Sequence, residues 1–344
     1  FWLDQWRQEL NIDCPLKSLE QSPIPKSRFY QLQEPTLKKA SLVGIDKTAS
    51  RLALGCDNQT SSLHAFTMFD HFYGSGGRIF DTAFIYNNGK GDKYLGDWIN
   101  SRQVEDEVIV LGKAAHSPQC EPQYIRPQIL ESLERLNIQK LDIFCLHRDN
   151  NEIPVSEFID ALNELRDEGL IKLIGASNWE LKRFSEARDY AQMNQKESFS
   201  VLSNNFSLAQ MVDPVWPGCV GINSEYINYI VKNDIMLFPW SSQARGFFIK
   251  KKEVTSNQHF SNPSMEEEIR VWHDEKNLKR RAKCFEIADK RNLQPIQVAL
   301  AYVLHKSPLI FPLIGPRTIF ETNSSIEATQ IELSEKELNE LSIN

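Results

Sequence analysis

From Arg51 onward, short apolar runs alternate with longer amphipathic ones, and this rhythm limits the fold more than any other feature of the chain. Eight runs read as strands: "RLALGC", "RIFDTAFIY", "VIVLGKAA", "LDIFCLH", "LIKLIGASN", "SVLSNNFS", "IMLFPWSS" and "PLIFPLIG". They are apolar almost throughout, as parallel strands covered by helices are. Between them, "QYIRPQILESLERLN", "VSEFIDALNELRDEG" and "ELKRFSEARDYAQMN" repeat their apolar residues every three to four positions, the helical period. Eight such units count out a closed barrel. The expected fold is therefore α/β, a (β/α)8 TIM barrel over residues 51–344, preceded by an N-terminal extension of residues 1–50. The extension has a polar, Pro-containing middle, "QSPIPKSRFYQLQEP", and no strand–helix rhythm, so its role is not legible. An open doubly wound sheet would need G-x-G-x-x-G between its first strand and helix. The glycine cluster Gly74 to Gly77 instead precedes a strand and reads as a helix stop. Two long connections, Ala209 to Asn223 and Arg245 to Met265, are expected to be functional loops.

Composition narrows the chemistry. Hydrophobic residues make up 41% of the 344, with no uninterrupted apolar run near the ~20 residues a membrane helix needs. A net charge of -7 with scattered lysines offers no basic face to nucleic acid. A small-molecule substrate is the remaining default. Cys14, Cys56, Cys120, Cys145, Cys219 and Cys284 are widely spaced, without C-x-x-C or metal-finger patterns. Free thiols in a reducing compartment, hence a cytoplasmic protein without a metal, are expected. The chain begins with Phe1, and "FWLDQWRQEL" lacks the basic start and apolar core of a signal peptide, which suggests a piece of a longer polypeptide.

In an α/β barrel the active site collects at the C-terminal ends of the strands. The second strand ends with Asp81 and leads to Tyr86, the third ends at Lys113, the fourth at His147, and the fifth at Ser177 and Asn178. Singly, a strand-end Lys is a solvated charge and a strand-end His a satisfied structural one. Jointly they would project into one mouth. A phenol has a reference pKa of ~10 and must move toward neutrality to serve as a general acid near pH 7. Lys113 beside Tyr86 would favour phenolate, Asp81 would hold that Lys charged and oriented, and His147 would orient a carbonyl oxygen. Such a set reduces carbonyls and requires a hydride donor. Tyr86 and Lys90 also spell Tyr-x-x-x-Lys, a pair that works when one helical turn aligns the two side chains. The intervening Asn87, Asn88 and Gly89 disfavour that helix.

Over residues 51–344 the sequence resembles the aldo-keto reductases, barrel enzymes that use a nicotinamide cofactor. "DTAFIYNNG" resembles the family's Asp-Thr-Ala-x-x-Tyr-Gly motif, which makes Asp81, Tyr86, Lys113 and His147 the implied catalytic set. "GASNW" resembles the carboxamide-binding strand, so Ser177 and Asn178 would hold the nicotinamide. "WSSQARG" resembles Tyr-Ser-Pro-Leu-Gly-x-Gly: Trp240 would stack on the nicotinamide, and Ser241, Gln243, Arg245 and Gly246 would meet the pyrophosphate. "LIGPRTIFETNSS" resembles the adenosine-end motif through Gly315, Arg317 and Glu321. Two cofactor positions depart from the pattern. Ser203 stands where the family has Gln, and Ser325 where it has an adenine-contacting Asn. A guanidinium at Arg317 suits a 2'-phosphate, which favours NADPH over NADH.

The resemblance thus implies a reductase that moves hydride from C4 of the nicotinamide to an aldehyde or ketone, sugar-derived carbonyls included, while Tyr86 protonates the oxygen. Trp179, Trp216 and Cys219 are candidates for the pocket wall. Two other classes compete: a non-catalytic nicotinamide-nucleotide-sensing barrel, which would need no acid, and an interaction domain of a longer polypeptide. No partner beyond a small carbonyl substrate is indicated, and the oligomeric state is not legible.

Overall fold

The computed structural model describes residues 36–249 and 264–342. The stretch 1–35 of the extension and residues 250–263 of the second late loop lie outside the described residues. The chain runs β1 (Lys39–Ala40), β2 (Ala49–Ser50), β3 (Ala53–Gly55), α1 (Ser62–Gly74), β4 (Ile79–Asp81), α2 (Lys90–Arg102), β5 (Ile109–Ala114) and α3 (Pro122–Leu136). It continues with β6 (Leu141–Leu146), α4 (Val155–Asp167), β7 (Ile171–Ser177), α5 (Leu181–Met193), β8 (Val201–Ser203), α6 (Ser224–Lys232) and β9 (Met236–Leu237). Helices α7 (Ser264–Trp272), α8 (Glu275–Arg291) and α9 (Pro295–His305) precede β10 (Leu313–Ile314), α10 (Ile319–Ala328) and α11 (Glu335–Leu341).

The eight strand runs read from the sequence form one parallel sheet in the order β10-β3-β4-β5-β6-β7-β8-β9. A parallel bridge between Leu237 and Ile310, with Phe311 N donating to Leu237 O at 2.8 Å, joins the last strand back toward the first. The sheet is thereby a barrel with helices outside. Its helices form for legible reasons. In α4, Val155, Phe158, Ile159, Leu162 and Leu165 are buried at helical spacing. Each large apolar side chain so buried contributes about 1.5–3 kcal/mol. Helix α1 begins at Ser61, whose hydroxyl accepts from His64 N at 3.2 Å. Helix α3 begins with Pro122, and its end turns through Asn137 at φ 50°.

The axial core takes Ala53, Ile79, Leu111, Ile143, Leu173, Val201, Met236 and Leu313, one from each strand. Its floor comes from residues that the sequence leaves in the extension. Strands β1 and β2 form an antiparallel hairpin pairing Lys39 with Ser50 and Ala40 with Ala49, and Leu42 and Ile45 from its turn join the core. The compact unit accordingly runs from Thr36, not from Arg51. Lys47 from the hairpin ties it down, donating to Asp142 Oδ2 at 3.0 Å and Val108 O at 2.8 Å.

Candidate active site

Strand parity builds the site. Alternate side chains of a barrel strand face the axis. In β5 the axial series is Ile109, Leu111 and then Lys113; in β4 it is Ile79 and then Asp81; in β6 it is Ile143, Cys145 and then His147. The same count takes β7 from Leu173 to Ser177, β8 from Val201 to Ser203, and the β9 segment from Met236 through Phe238 to Trp240. The inner wall is apolar below and becomes polar at the C-terminal mouth. That is where the sequence-selected residues meet.

Lys113 Nζ donates to Asp81 Oδ1, and both side chains are 2% exposed. Burial raises the Asp81 carboxyl to about 6, while the ammonium of Lys113 pulls it the other way. Tyr86 opens the turn Tyr86–Gly89, in which Asn87 and Asn88 take left-handed φ values of 51° and 54°. The turn therefore does not line Tyr86 and Lys90 up on one helical face. Instead the Tyr86 ring lies 5.0 Å from the Lys113 ammonium and meets the His147 ring edge-on at 5.8 Å. No residue among those described holds the phenolic hydroxyl by a hydrogen bond.

Burial pushes the Tyr86 phenol well above its ordinary value, the carboxylates of Asp81 and Asp57 add to this, and the Arg148 guanidinium opposes it. The phenol thus keeps its proton through the neutral range. Sequence reasoning expected Lys113 to draw it toward neutrality, but the ammonium is bonded to Asp81. Burial also holds His147 well below the usual imidazole range, reinforced by the charges of Lys113 and Arg148. Its ring is neutral, and Nδ1 is buried without a partner among the described residues.

A second network fixes the strand end carrying Asp81. Asp92 of α2 accepts from Thr82 Oγ1 at 2.6 Å and from Ser132 Oγ of α3 at 2.8 Å. Sequence reasoning missed Asp92, and also His116 and Arg148. The His116 ring packs edge-on to His147 at 4.8 Å, and Arg148 is buried beside it. A residue following directly on a strand-end His was the available signal for Arg148.

The residues implied for the cofactor fall into linked groups. Ser177 Oγ donates to Ser203 O at 2.6 Å. Asn178, at φ 61°, donates to Ser177 Oγ at 3.0 Å and His147 O at 3.3 Å, and accepts from Val220 N at 3.2 Å. It joins the late loop to the strand ends. Ser203 is fully buried and donates to Phe238 O at 2.9 Å, so its hydroxyl is engaged by the neighbouring strand. Trp240 lies 6.3 Å from Trp216, and its indole Nε1 is buried without a partner among the described residues. Ser241, Arg245 and Gly246 take φ values of 48°, 50° and 92°, which bend this segment into a concave turn.

Arg245 is already engaged: its Nε contacts Glu267 Oε1 of α7 at 2.7 Å, and its guanidinium lies 5.2 Å over the Trp216 ring. At the β10 end, Ser325 Oγ donates to Gln243 Oε1 at 3.4 Å, bringing those two together. Glu321 caps α10 by accepting from the backbone N–H of Arg317 at 2.6 Å and of Thr318 at 3.3 Å. The Arg317 guanidinium is exposed, with no carboxylate paired to it among the described residues. A Cβ at Gly315 would meet Asn58 Nδ2 at 2.7 Å, and that amide donates to Gly315 O at 2.8 Å.

An orphaned buried indole N–H and an unpaired guanidinium at a helix start fit a nucleotide cofactor along this edge. Among the described residues no group of His, Cys, Asp and Glu could hold a metal, and no helix is long and apolar enough to cross a membrane. The described cysteines, Cys56, Cys120, Cys145, Cys219 and Cys284, are buried and free.

Comparison with known proteins bears on the family and the fold. The model of the aldo/keto reductase family matches residues 51–343. Norsolorinic acid reductase of Aspergillus flavus is 28% identical over 301 residues, which span 83% of this chain and 71% of that protein. An aryl-alcohol dehydrogenase of Pestalotiopsis microspora is 26% identical over 290 residues, covering 80% of this chain and 71% of its own. A solved thermostable aldo-keto reductase, crystallised with the inhibitor epalrestat, superposes with a TM-score of 0.68 at 20% identity, over 89% of this chain and 99% of the other. With the family model spanning residues 51–343, the chain belongs to the aldo-keto reductase family.

Proposed function

We propose that the protein is an NADPH-dependent reductase of aldehydes and ketones, with aromatic carbonyl compounds as its main substrates. The observation that carries the reading is the Tyr86 ring set 5.0 Å from the ammonium of a buried Asp81–Lys113 pair and edge-on to the His147 ring at 5.8 Å. A nicotinamide, when bound, supplies the hydride. Ser177, Asn178 and Trp240 would hold its ring end. Ser241, Gln243, Arg245, Gly246, Gly315, Glu321 and Ser325 would line the remainder, and Arg317 would read a 2'-phosphate.

His147 would orient the carbonyl oxygen, and Tyr86 would hand that oxygen its proton as negative charge develops there. Lys113 lies near enough to stabilise the phenolate left behind, and Asp81 fixes the position of the ammonium. Aromatic substrates are supported by the relatives named as aryl-alcohol dehydrogenase and norsolorinic acid reductase. The exposed ring of Trp216 beside Trp240 offers such a substrate an apolar face.

The intact acid, ion pair and imidazole speak against a purely nucleotide-sensing barrel, which needs none of them. Tyr86→Phe tests the reading. It should keep cofactor binding and lose about 10²- to 10⁴-fold in turnover of an aromatic aldehyde, the usual worth of general acid catalysis. Retention of more than about half of kcat, with chemistry rate-limiting, would remove Tyr86 from the role.

A further inference from the structure

The charges at the mouth do not balance locally. Lys113 is bonded to Asp81, yet Arg148, only 6% exposed, meets no carboxylate within ion-pair distance among the described residues. Its neighbour Asp149 is occupied by Arg183, at 3.1 Å. The Arg148 guanidinium donates through one terminal nitrogen to His147 O at 3.0 Å, and through the other to Cys219 Sγ at 3.6 Å. Its Nε is buried without any partner among the described residues. Gly218, at φ 76°, passes over the side chain, and a Cβ there would already lie 3.5 Å from Arg148 Cδ.

A buried cation without a counter-ion is costly, and an evolved site keeps one where a negative charge develops. We propose that Arg148 is the unneutralised cation of this active site, a positioning residue that anchors the His147 backbone and offsets the negative charge formed when Tyr86 gives up its proton. The inference rests on the reading of Tyr86 as proton donor. In that step hydride adds to the carbonyl carbon and the C=O π pair moves onto oxygen. The Tyr86 O–H bond then breaks, its proton forms the new O–H, and its electron pair stays on the phenol oxygen. The net charge that appears on protein groups is therefore a phenolate. Lys113 is near it but shared with Asp81, whereas Arg148 is not shared.

The groups bearing on the His147 titration are the rings of Tyr86 after β4 and His116 after β5, which pack edge-on to it, and the charges of Lys113 and Arg148. Asp81 is bonded to Lys113, and the charge of Asp57 also acts on the phenol. Of these, Arg148 can be changed without touching the Asp81–Lys113 pair.

The test compares Arg148→Met with Arg148→Lys, using circular dichroism and cofactor binding as controls of the fold. Arg148→Met should lower kcat about ten- to a hundredfold, the equivalent of roughly one to two pKa units of lost charge stabilisation, with KM within about twofold. In the same variant the His147 imidazole, followed by NMR of labelled histidine, should titrate at higher pH than in the wild type. Arg148→Lys should restore most of kcat and the low titration, because it keeps the charge while losing the planar fork. Equal losses in both variants, or an unmoved imidazole titration in Arg148→Met, would assign Arg148 a packing role and overturn the proposal. Should Arg148→Met not fold, the wild type decides: an imidazole titrating near the ordinary value of about 6.5 is incompatible with an uncompensated cation against it. The NMR shift is read without turnover, so it stands apart from failure of the Tyr86 assignment, which Tyr86→Phe reports.

Discussion

The Asp81–Lys113 pair permits a prediction whose magnitude follows from burial. In Lys113→Met the Asp81 carboxylate, 2% exposed, loses the ammonium bonded to it. Removing one partner of a buried pair costs about 3–5 kcal/mol. A ceiling comes from the alternative of protonation: with the folded carboxyl already raised to about 6, adding a proton at pH 7 costs only about 1.4 kcal/mol, so the variant escapes most of that loss by binding one. The loss should lie near that figure at pH 7 and all but vanish at pH 4.5, where the carboxyl of the folded wild type is itself protonated. The sign follows from the direction of the shift. Burial already raises Asp81 to about 6, and loss of the cation raises it further. The folded variant therefore binds the proton more tightly than the unfolded chain, so this contribution is fully present below about pH 4 and is lost as pH rises through the folded value. Asp81→Leu with Lys113→Met should recover most of the stability and none of the turnover, because it removes both charges and leaves matched apolar volume. Equilibrium urea unfolding followed by tryptophan fluorescence at the two pH values reads all three proteins. A Lys113→Met loss no greater at pH 7 than at pH 4.5 would refute the reasoning.

Three further outcomes are expected. Arg317→Ala should weaken NADPH by about ten- to a hundredfold and leave NADH nearly unchanged, as a charge-assisted contact of roughly 1.5–3 kcal/mol requires; equal losses by fluorescence titration would show that Arg317 does not read the phosphate. Glu267→Gln releases Arg245 from a contact of 2.7 Å and removes a negative charge from the pyrophosphate side, so NADPH should bind more tightly by a few-fold, most visibly at low salt. Weaker binding would mean that Glu267 chiefly holds α7 in place. Gly96→Ala would set a Cβ 2.4 Å from the Leu136 carbonyl oxygen and force α2 away from α3; a loss of about 1–3 kcal/mol in urea unfolding is expected, and an unchanged midpoint would contradict that contact.

The barrel is legible because a parallel strand hidden on both faces writes a short apolar block, and all eight blocks are paired in the sheet. The mouth is legible because strand parity carries an apolar series such as Ile109 and Leu111 to a charged end at Lys113. Three things escape the sequence for physical reasons. Strands of two residues, as in the hairpin of Lys39–Ala40 and Ala49–Ser50, have no periodicity to read. The direction of the Tyr86 shift depends on burial and on carboxylates at Asp81 and Asp57, which proximity in sequence does not rank. Arg148 looks like an ordinary surface cation until Cys219, seventy-one residues later, closes over it.

The hairpin also separates two boundaries that are easily confused. The stretch shared with the family begins at Arg51, while the folded body begins at Thr36. A recombinant fragment cut to the shared stretch would lose Leu42 and Ile45 from beneath the axial core and leave Asp142 without the Lys47 cation that caps it at 3.0 Å. Such a fragment would present an open apolar ring at its lower end, a surface prone to self-association during expression. Tags and fusion partners therefore belong upstream of Thr36, where the floor of the barrel stays attached to its walls.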